Sequence, residues 1–269
     1  MGRKSKDKRD VYYRRAKEEG WRARSAFKLL QLDEEFALFK GCERAVDLCA
    51  APGSWTQVLA RQLGVQDDDP SAGTRIVSVD INKMAPIQGV VTLQGDITAE
   101  DTARRVIDTF GGHKADIVVC DGAPDVTGLH DLDEYLQQQL VVAALTISTF
   151  LLKPGASFVT KVFRGRDSEH FLIPQFHAFF SHVTLAKPSS SRNASLESFV
   201  VCKGYRPPTG FVPTMPLSLA PGPPGVVSFV AVGDLDGLDA DSSYQLEEGH
   251  SVIEPLARPI DTPDMYKGE

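Results

Sequence analysis

Cysteine is scarce. Cys42, Cys49, Cys120 and Cys202 are scattered over 269 residues, with no C-x-x-C pair. That excludes a disulfide scaffold and agrees with a reducing compartment. Three of the four stand in apolar strand-like runs, where a thiol behaves as a small buried hydrophobe. The six histidines are equally dispersed and form no H-E-x-x-H or H-x-x-x-H pair, so no structural metal is expected. Long apolar runs are missing too. The longest near-apolar stretch, Val141 to Leu152, carries Thr146, Ser148 and Thr149 and is too short to span a bilayer, so no membrane partner is expected. The charged N-terminus has no apolar segment behind it and reads as no signal peptide. Lys6 stands where a myristoylation signal needs Ser or Thr. Hydrophobic residues are 42% and charged residues 24%, which excludes a wholly disordered or collagenous chain. The length suits one large α/β domain with appendages, or two small domains.

An overall positive charge is also lacking. A formal net charge of −7, taken alone, argues weakly against nucleic acid. Its distribution argues differently. Residues 1–28 hold eleven Lys/Arg against four Asp/Glu, residues 29–205 hold fifteen against twenty-two, and residues 206–269 hold three against ten. A basic arm therefore precedes an acidic body and a more acidic tail. Tyr12, Tyr13, Trp21 and Phe27 interleave Arg14, Arg15, Arg22, Arg24 and Lys28. Cations beside aromatic rings are the makeup of an RNA-binding surface. A solvated, frayed terminus is the competing reading.

Three regions follow: a basic aromatic RNA-binding arm over 1–24, a domain over 25–205 and a tail over 206–269. The arm reads as helical over Asp10–Glu19. Ser25 is placed to cap a helix running to about Phe39, with Leu32, Phe36 and Phe39 as its inward stripe. Lys28 continues that stripe, and either snorkels to solvent or points into a cleft. Strand-like runs Arg44–Cys49, Arg75–Asp80, Val90–Leu93, Asp116–Cys120 and Ser157–Phe163 then alternate with helical Ser54–Leu63, Thr102–Phe110, Leu132–Leu152 and Ser168–Phe180. Two further runs, His182–Ala186 and Ser198–Cys202, close the series. The pattern predicts an α/β fold, a doubly wound sheet with helices on both faces. The Ser/Asn-rich turn Pro188 to Ser195 predicts an antiparallel strand at one edge. After Tyr205, ten Pro and seven Gly mark a tail that packs on the domain or binds a partner. Within it, Val226–Val232 is apolar enough to dock as a strand. No internal repeat is visible.

A G-x-G-x-x-G turn is likewise absent. The first strand ends in Asp47-Leu48-Cys49-Ala50-Ala51-Pro52-Gly53-Ser54-Trp55, and a helix begins there. Such a turn at the sheet's carboxyl edge is where α/β folds hold ligands. One glycine offers few backbone N–H groups to a pyrophosphate, so NAD or FAD fits poorly. A nucleoside carrying an amino-acid chain at its 5′ position, such as S-adenosylmethionine, fits better. Asp47, inside an apolar strand, demands a partner. Asp80 closes the second strand, where an acid can bind two ribose hydroxyls. Asp96, in Gln94-Gly95-Asp96, is placed to accept from an adenine amino group. Asp121, in Cys120-Asp121-Gly122-Ala123-Pro124, closes the fourth strand. Each acid alone reads as a turn or cap residue; three at successive strand ends point to a ligand.

These motifs resemble the FtsJ/RrmJ family of S-adenosyl-L-methionine-dependent ribose 2′-O-methyltransferases. The resemblance also runs through Ser25-Ala26-Phe27-Lys28-Leu29, Lys161-Val162-Phe163 and Ser191-Arg192 through Glu197, in family order across residues 20–205. It is closest to the eukaryotic branch that methylates the tRNA anticodon loop. That branch's N-terminus is matched by Lys6-Asp7-Lys8-Arg9-Asp10 and Trp21-Arg22-Ala23-Arg24. Other matching segments are Phe163-Arg164-Gly165-Arg166-Asp167, Cys202-Lys203-Gly204-Tyr205, Ser228-Phe229-Val230 and Ser243-Tyr244. The resemblance implies a Rossmann-like methyltransferase sheet and a catalytic tetrad of Lys28, Asp121, Lys161 and Glu197. It also implies a tRNA substrate modified at position 32, 34 or both, and separate helper proteins that select the position. Gly53, Trp55, Asp80, Asp96 and Asp121 are expected around the cofactor. Arg22, Arg24, Arg164, Arg166 and Arg192 are expected near RNA phosphates.

The chemistry asks for such a set. A ribose 2′-hydroxyl is a poor nucleophile until it loses its proton, and a lysine accepts that proton only when neutral. Burial and a second cation lower a lysine pKa, and flanking carboxylates raise it. Lys161 is assigned as the base and Lys28 as the second cation or phosphate grip. Asp121 is assigned to orient the groups near the sulfonium, and Glu197 to orient Lys161 or the ribose. Residence in the cytoplasm is expected, with a nuclear pool left open. Three other readings compete: a ribosomal RNA or mRNA cap 2′-O-methyltransferase, an inactive RNA-binding protein, and a small-molecule methyltransferase.

Overall fold

The structure is a computed structural model that describes residues 10–65, 73–124, 127–193, 195–215, 227–234, 238 and 240–241. The N-terminal basic run over 3–9 and the tail match at Ser243-Tyr244 lie outside the described residues. The elements in chain order are α1 (Val11–Glu18), α2 (Ala26–Phe36), β1 (Ala45–Leu48), α3 (Ser54–Gln62), β2 (Ile76–Asp80), β3 (Val91–Gln94) and α4 (Glu100–Thr109). They continue with β4 (Ala115–Cys120), α5 (His130–Leu151), β5 (Leu152–Phe163), α6 (Arg166–Phe179), β6 (Phe180–Pro188), β7 (Glu197–Tyr205) and β8 (Ser228–Val232).

Every residue of β1 and β2 is buried. Strands covered on both faces read as continuous apolar runs rather than alternating ones, and they pair in parallel. The sheet has the order β3-β2-β1-β4-β5-β7-β6-β8. Strands β3, β2, β1, β4 and β5 run parallel. The antiparallel strand is β7, which pairs with β5 on one side and β6 on the other. It lies inside the sheet because both its sides are paired, and β8 from the tail adds in parallel to β6 and forms the edge. Within the run expected to dock as a strand, Ser228–Val232 does so and Val232 is buried, while Val226 lies outside the described residues.

Two cores flank the sheet. One includes Val46, Leu48, Val79, Ala144, Phe158 and Phe176. The other includes Phe27, Leu29, Leu32, Trp55, Val58 and Phe199. Helix α2 ends earlier than its apolar spacing suggests. Ala37 turns left-handed (φ 48°), and the Asp33 side chain accepts the Phe39 backbone N–H at 3.0 Å. Ser25 makes no side-chain cap. Its Oγ instead lies 2.7 Å from Ser54 Oγ, joining the start of α2 to the start of α3.

Residues 10–24 are not a loose arm. Val11, Tyr12, Ala16 and Trp21 are buried in the second core, and the Tyr12 and Phe27 ring centroids are 5.5 Å apart. Burial of such rings stabilises the fold by about 2 kcal/mol each. The stacking role expected of Tyr12, Trp21 and Phe27 is therefore corrected: these rings are inside, out of reach of a base. Asp10 caps α1 by accepting the Tyr13 N–H at 3.0 Å. Described parts of the tail also lie on the body. Tyr12 Oη donates to the Leu238 carbonyl at 3.3 Å, and Asp241 accepts from the Asn193 N–H at 2.6 Å. No described helix is long and apolar enough to cross a membrane.

Candidate active site

Strand register assembles the site. Leu48 pairs with Cys120, and Cys120 with Thr160. Asp121 and Lys161 therefore stand side by side, one step beyond their strands' aligned positions. Strand β7 runs the other way, so it starts where β5 ends. Glu197 pairs with Phe163, and Phe199 with Lys161. Residues two apart on a strand share a face, so Glu197 and Lys161 point to the same side. Helix α2 covers that side and contributes Lys28.

The four polar groups meet in pairs. Lys28 Nζ is 2.7 Å from the Glu197 carboxylate, which also accepts from Ser191 Oγ at 2.8 Å. Lys28 therefore points into the cleft and does not snorkel; its side chain is only 12% exposed. Lys161 Nζ donates to the Asp121 carbonyl at 2.7 Å and lies 3.1 Å from Asp121 Oδ1. Burial alone would lower the Lys161 pKa, but the carboxylates of Asp121 and Glu197 outweigh it and hold the pKa above the usual lysine value. Burial pulls Glu197 the opposite way, yet Lys28 and Lys161 keep its carboxyl below the ordinary range. Gln137 braces the arrangement by donating to the carbonyls of Gly122 (3.1 Å) and Lys161 (2.9 Å). Ser191 stands in a segment that carries the family resemblance but had no assigned role, and Gln137 carries no sequence signal of its own; only the fold brings them here.

The turn after β1 is held from several sides. Gly53 has φ 105°, and a Cβ there would fall 2.6 Å from Arg22 Nη1. Glycine is required both by that conformation and by that approach. Arg22 donates to the carbonyls of Pro52 (3.0 Å), Ala85 (2.8 Å) and Pro86 (2.8 Å). It clamps the turn to the loop after β2, where the sequence reading expected it near an RNA phosphate. Asp80 accepts the Ala51 N–H at 2.9 Å and the Asn82 N–H at 2.7 Å, one on each oxygen. Asp47 has the partner its burial demands: Thr56 Oγ1 donates to it at 2.5 Å and lies 2.9 Å from Ser78 Oγ. Burial pushes the Asp47 carboxyl up to about 7 against the opposing Thr56 hydrogen bond.

Other expected residues stand elsewhere. Trp55 is 2% exposed; its ring packs by Phe199 and its Nε1 donates to the Ser25 carbonyl at 2.9 Å. It anchors α3 to α2, and its ring faces the core where the sequence reading expected it near the cofactor. Asp96 is exposed and accepts both the N–H and the hydroxyl of Thr98 through Oδ1. Arg24 and Arg192 both pair with Asp10, and Arg24 also donates to the Ser190 carbonyl. Half-buried among these partners, Arg24 ties α1 to the β6–β7 turn, where the sequence reading expected it near an RNA phosphate. Arg192 shares the acid but remains 45% exposed. Arg164 is exposed, with its guanidinium carbon 4.6 Å from the Phe229 ring centroid. Arg166 opens α6, and its side chain lies outside the described part.

The donor set has a clear chemical preference. Asp80, Asp96 and Asp121 stand after β2, β3 and β4 at one sheet edge, with no arginine or lysine aimed at the turn except the carbonyl-bound Arg22 among the described residues. Carboxylates there repel a pyrophosphate and accept hydroxyl, amino and cationic groups. Asp121 Oδ1 is buried without an aligned hydrogen bond, an acceptor that a ligand can use. Exposed Ile81 (66%) adds an apolar surface beside Asp80, which the sequence reading missed. The residues present thus fit a ribose diol, an amino-acid chain and a sulfonium charge.

Comparison with known proteins places these features in context. The family model described as FtsJ-like methyltransferase matches residues 21–205. The chain is 56% identical to the human tRNA (cytidine(32)/guanosine(34)-2′-O)-methyltransferase, over 98% of this chain and 83% of that protein. It is 55% identical to the Schizosaccharomyces pombe protein of the same name, over 92% and 89%. A crystal structure described as that of a ribosomal RNA methyltransferase from Plasmodium falciparum superposes with a TM-score of 0.59 at 22% identity. It covers 69% of this chain and 98% of that one.

Proposed function

Since the chain belongs to the FtsJ-like methyltransferase family, we infer that it is a tRNA 2′-O-methyltransferase of the anticodon loop. It takes its methyl group from S-adenosyl-L-methionine and acts at position 32, position 34 or both. The carrying observation is the meeting of Lys28, Asp121, Lys161 and Glu197 in one buried cluster beside the acid-lined sheet edge. The relatives named for tRNA match nearly the whole chain, which favours tRNA over ribosomal RNA or an mRNA cap.

In this reading Asp80, Asp121 and the Gly53 turn hold the cofactor. Bound S-adenosylmethionine supplies an electrophilic methyl carbon on a cationic sulfur. Lys161 is charged at rest, paired with Asp121. A positive charge placed beside Asp121 engages that carboxylate and opposes a second charge on Lys161. Lys161 would then lose its proton to solvent water, and its neutral amine would take the proton of the ribose 2′-hydroxyl. Glu197 stays ionised against Lys28 and Ser191, and orients the lysine or the ribose. Proximity does the rest: a fixed acceptor next to the hydroxyl turns proton removal into an intramolecular step.

Helper proteins that choose between positions 32 and 34 belong to the same proposal, supported by the segments shared with the tRNA branch. Cytoplasmic residence also belongs to it, supported by four free cysteines. Transfer from labelled S-adenosylmethionine to total tRNA, with the modified nucleotide mapped, tests the reading. Label at position 32 or 34 is the expected result, and activity that needs cell extract identifies a helper. Label entering only ribosomal RNA or capped mRNA would overturn the substrate and leave the chemistry standing.

A further inference from the structure

We propose that a cavity of about 530 Å³, behind the catalytic cleft across the sheet edge, holds a nucleotide flanking the methylated ribose. The proposal rests on the RNA 2′-O-methyltransferase reading above. Its walls include Arg164, Lys187, Asn193, Ser195, Ser198 and Phe229. Its size lies in the range of small-molecule sites.

Register shows why the cavity and the cleft are neighbours. Ser198 follows Glu197 in β7, and consecutive strand residues point to opposite faces. Glu197 therefore meets Lys28 on one side while Ser198 lines the cavity on the other. A strand of RNA crossing the carboxyl edge of β5 can present one ribose to Lys161 and its neighbour to the cavity.

The chemistry of the wall suits that neighbour. Among the described residues that line it two are cations and none is a carboxylate, and Glu134 stands behind the lining Gly165. Lys187 is steered there by donating to the Ser195 carbonyl. The Phe229 ring is 47% exposed, with the Arg164 guanidinium over it. A planar cation on an open aromatic ring is a platform for stacking a base, and the charge serves the attached phosphate. Ser198 adds an independent mark. It is fully buried, and its hydroxyl has no hydrogen-bond partner among the described residues. A buried hydroxyl left unpaired is costly unless a ligand completes it. Phe229 comes from β8, so the tail strand would build part of the substrate site.

The test uses the full chain and a synthetic anticodon stem–loop RNA carrying one abasic nucleotide at each loop position in turn. Affinity is read by fluorescence anisotropy for the native protein, Phe229→Ala and Phe229→Tyr. One abasic position next to the methylated nucleotide is expected to weaken native binding about tenfold. Phe229→Ala should weaken binding of the intact RNA by a similar factor, and the two losses should not add. Phe229→Tyr should retain affinity, which separates stacking from the docking of β8. Additive losses, or native-like affinity in Phe229→Ala, overturn the cavity's role while native methylation of tRNA still stands. An effect of Phe229→Ala that appears only with cell extract assigns the cavity to a protein partner and overturns it too. If the native protein neither binds nor methylates tRNA, the functional reading fails first and the proposal falls with it.

Discussion

Lys161 illustrates how a single residue can be legible in kind and not in state. Its spacing in an apolar run marks it as a strand residue near the sheet edge. Its charge depends on what lies across from it. Asp121 and Glu197 together hold its pKa above the ordinary lysine value despite burial. It is paired with Asp121 in the structure, and under the proposed function it becomes a base only when a positive charge competes for the same acids. Lys161→Ala is expected to reduce turnover at least about 100-fold while leaving S-adenosylmethionine binding largely unchanged. Calorimetry beside a methyl-transfer assay measures both, and near-native turnover would remove Lys161 from its role. Asp47 offers a second residue-scale check. An ordinary Asp carboxyl titrates near 3.8, and burial raises this one to about 7. As pH rises from about 4 to about 7, the unfolded chain gives up a proton that the folded protein keeps. Folding is therefore progressively disfavoured by this group across that window, and the effect is constant above it. Asp47→Asn removes the penalty. The variant's melting temperature relative to the native protein should climb as pH goes from 5 to 8, and a pH-independent difference would refute the assignment.

Elements show where local pattern is overruled. The apolar spacing of Leu32, Phe36 and Phe39 extends a helix to Phe39, but α2 stops at Phe36. The cause is a left-handed Ala37 that returns its N–H to the Asp33 carbonyl at 2.7 Å, so Phe39 reaches the core from a turn. A Cβ in that conformation costs about 1 kcal/mol, and glycine avoids it. Ala37→Gly should therefore stabilise the protein by roughly 0.5–1 kcal/mol. Chemical denaturation measures this, and a destabilised variant would show that the left-handed geometry is not held in solution. The tight turn after β1 was legible from its small residues. Its supports were not legible, because Arg22 reaches across from another segment to carbonyls that carry no side-chain signal. The direction of the Trp55 ring was not legible for a related reason. A tryptophan beside a ligand turn can face the ligand or the core, and only the packing of α2 and Phe199 directs it inward.

At the scale of the whole molecule, charge and topology have separate consequences. The acidic body and basic N-terminus suggest that RNA is gripped by a limited set of cations, with Arg164 among them beside the cavity. Each phosphate contact contributes about one unit to the slope of log affinity against log salt. Arg164→Ala should weaken tRNA binding and flatten that slope by about one, as measured by titration across salt concentrations. A parallel slope would place Arg164 off the phosphates. The alternation of strands and helices, the acids at successive strand ends and the family motifs were readable from the chain alone, since each depends on neighbours in sequence. They determined the α/β class, the ligand edge and the identity of the four catalytic candidates. The tertiary structure decided what distant segments do to one another. It brought β7 into the sheet against the direction of β5, which sets Glu197 beside Lys161. It folded residues 10–24 and the described parts of the tail onto the body, burying rings that composition had offered to RNA. Pairing register and burial arise between segments far apart in the chain, and no local pattern contains them.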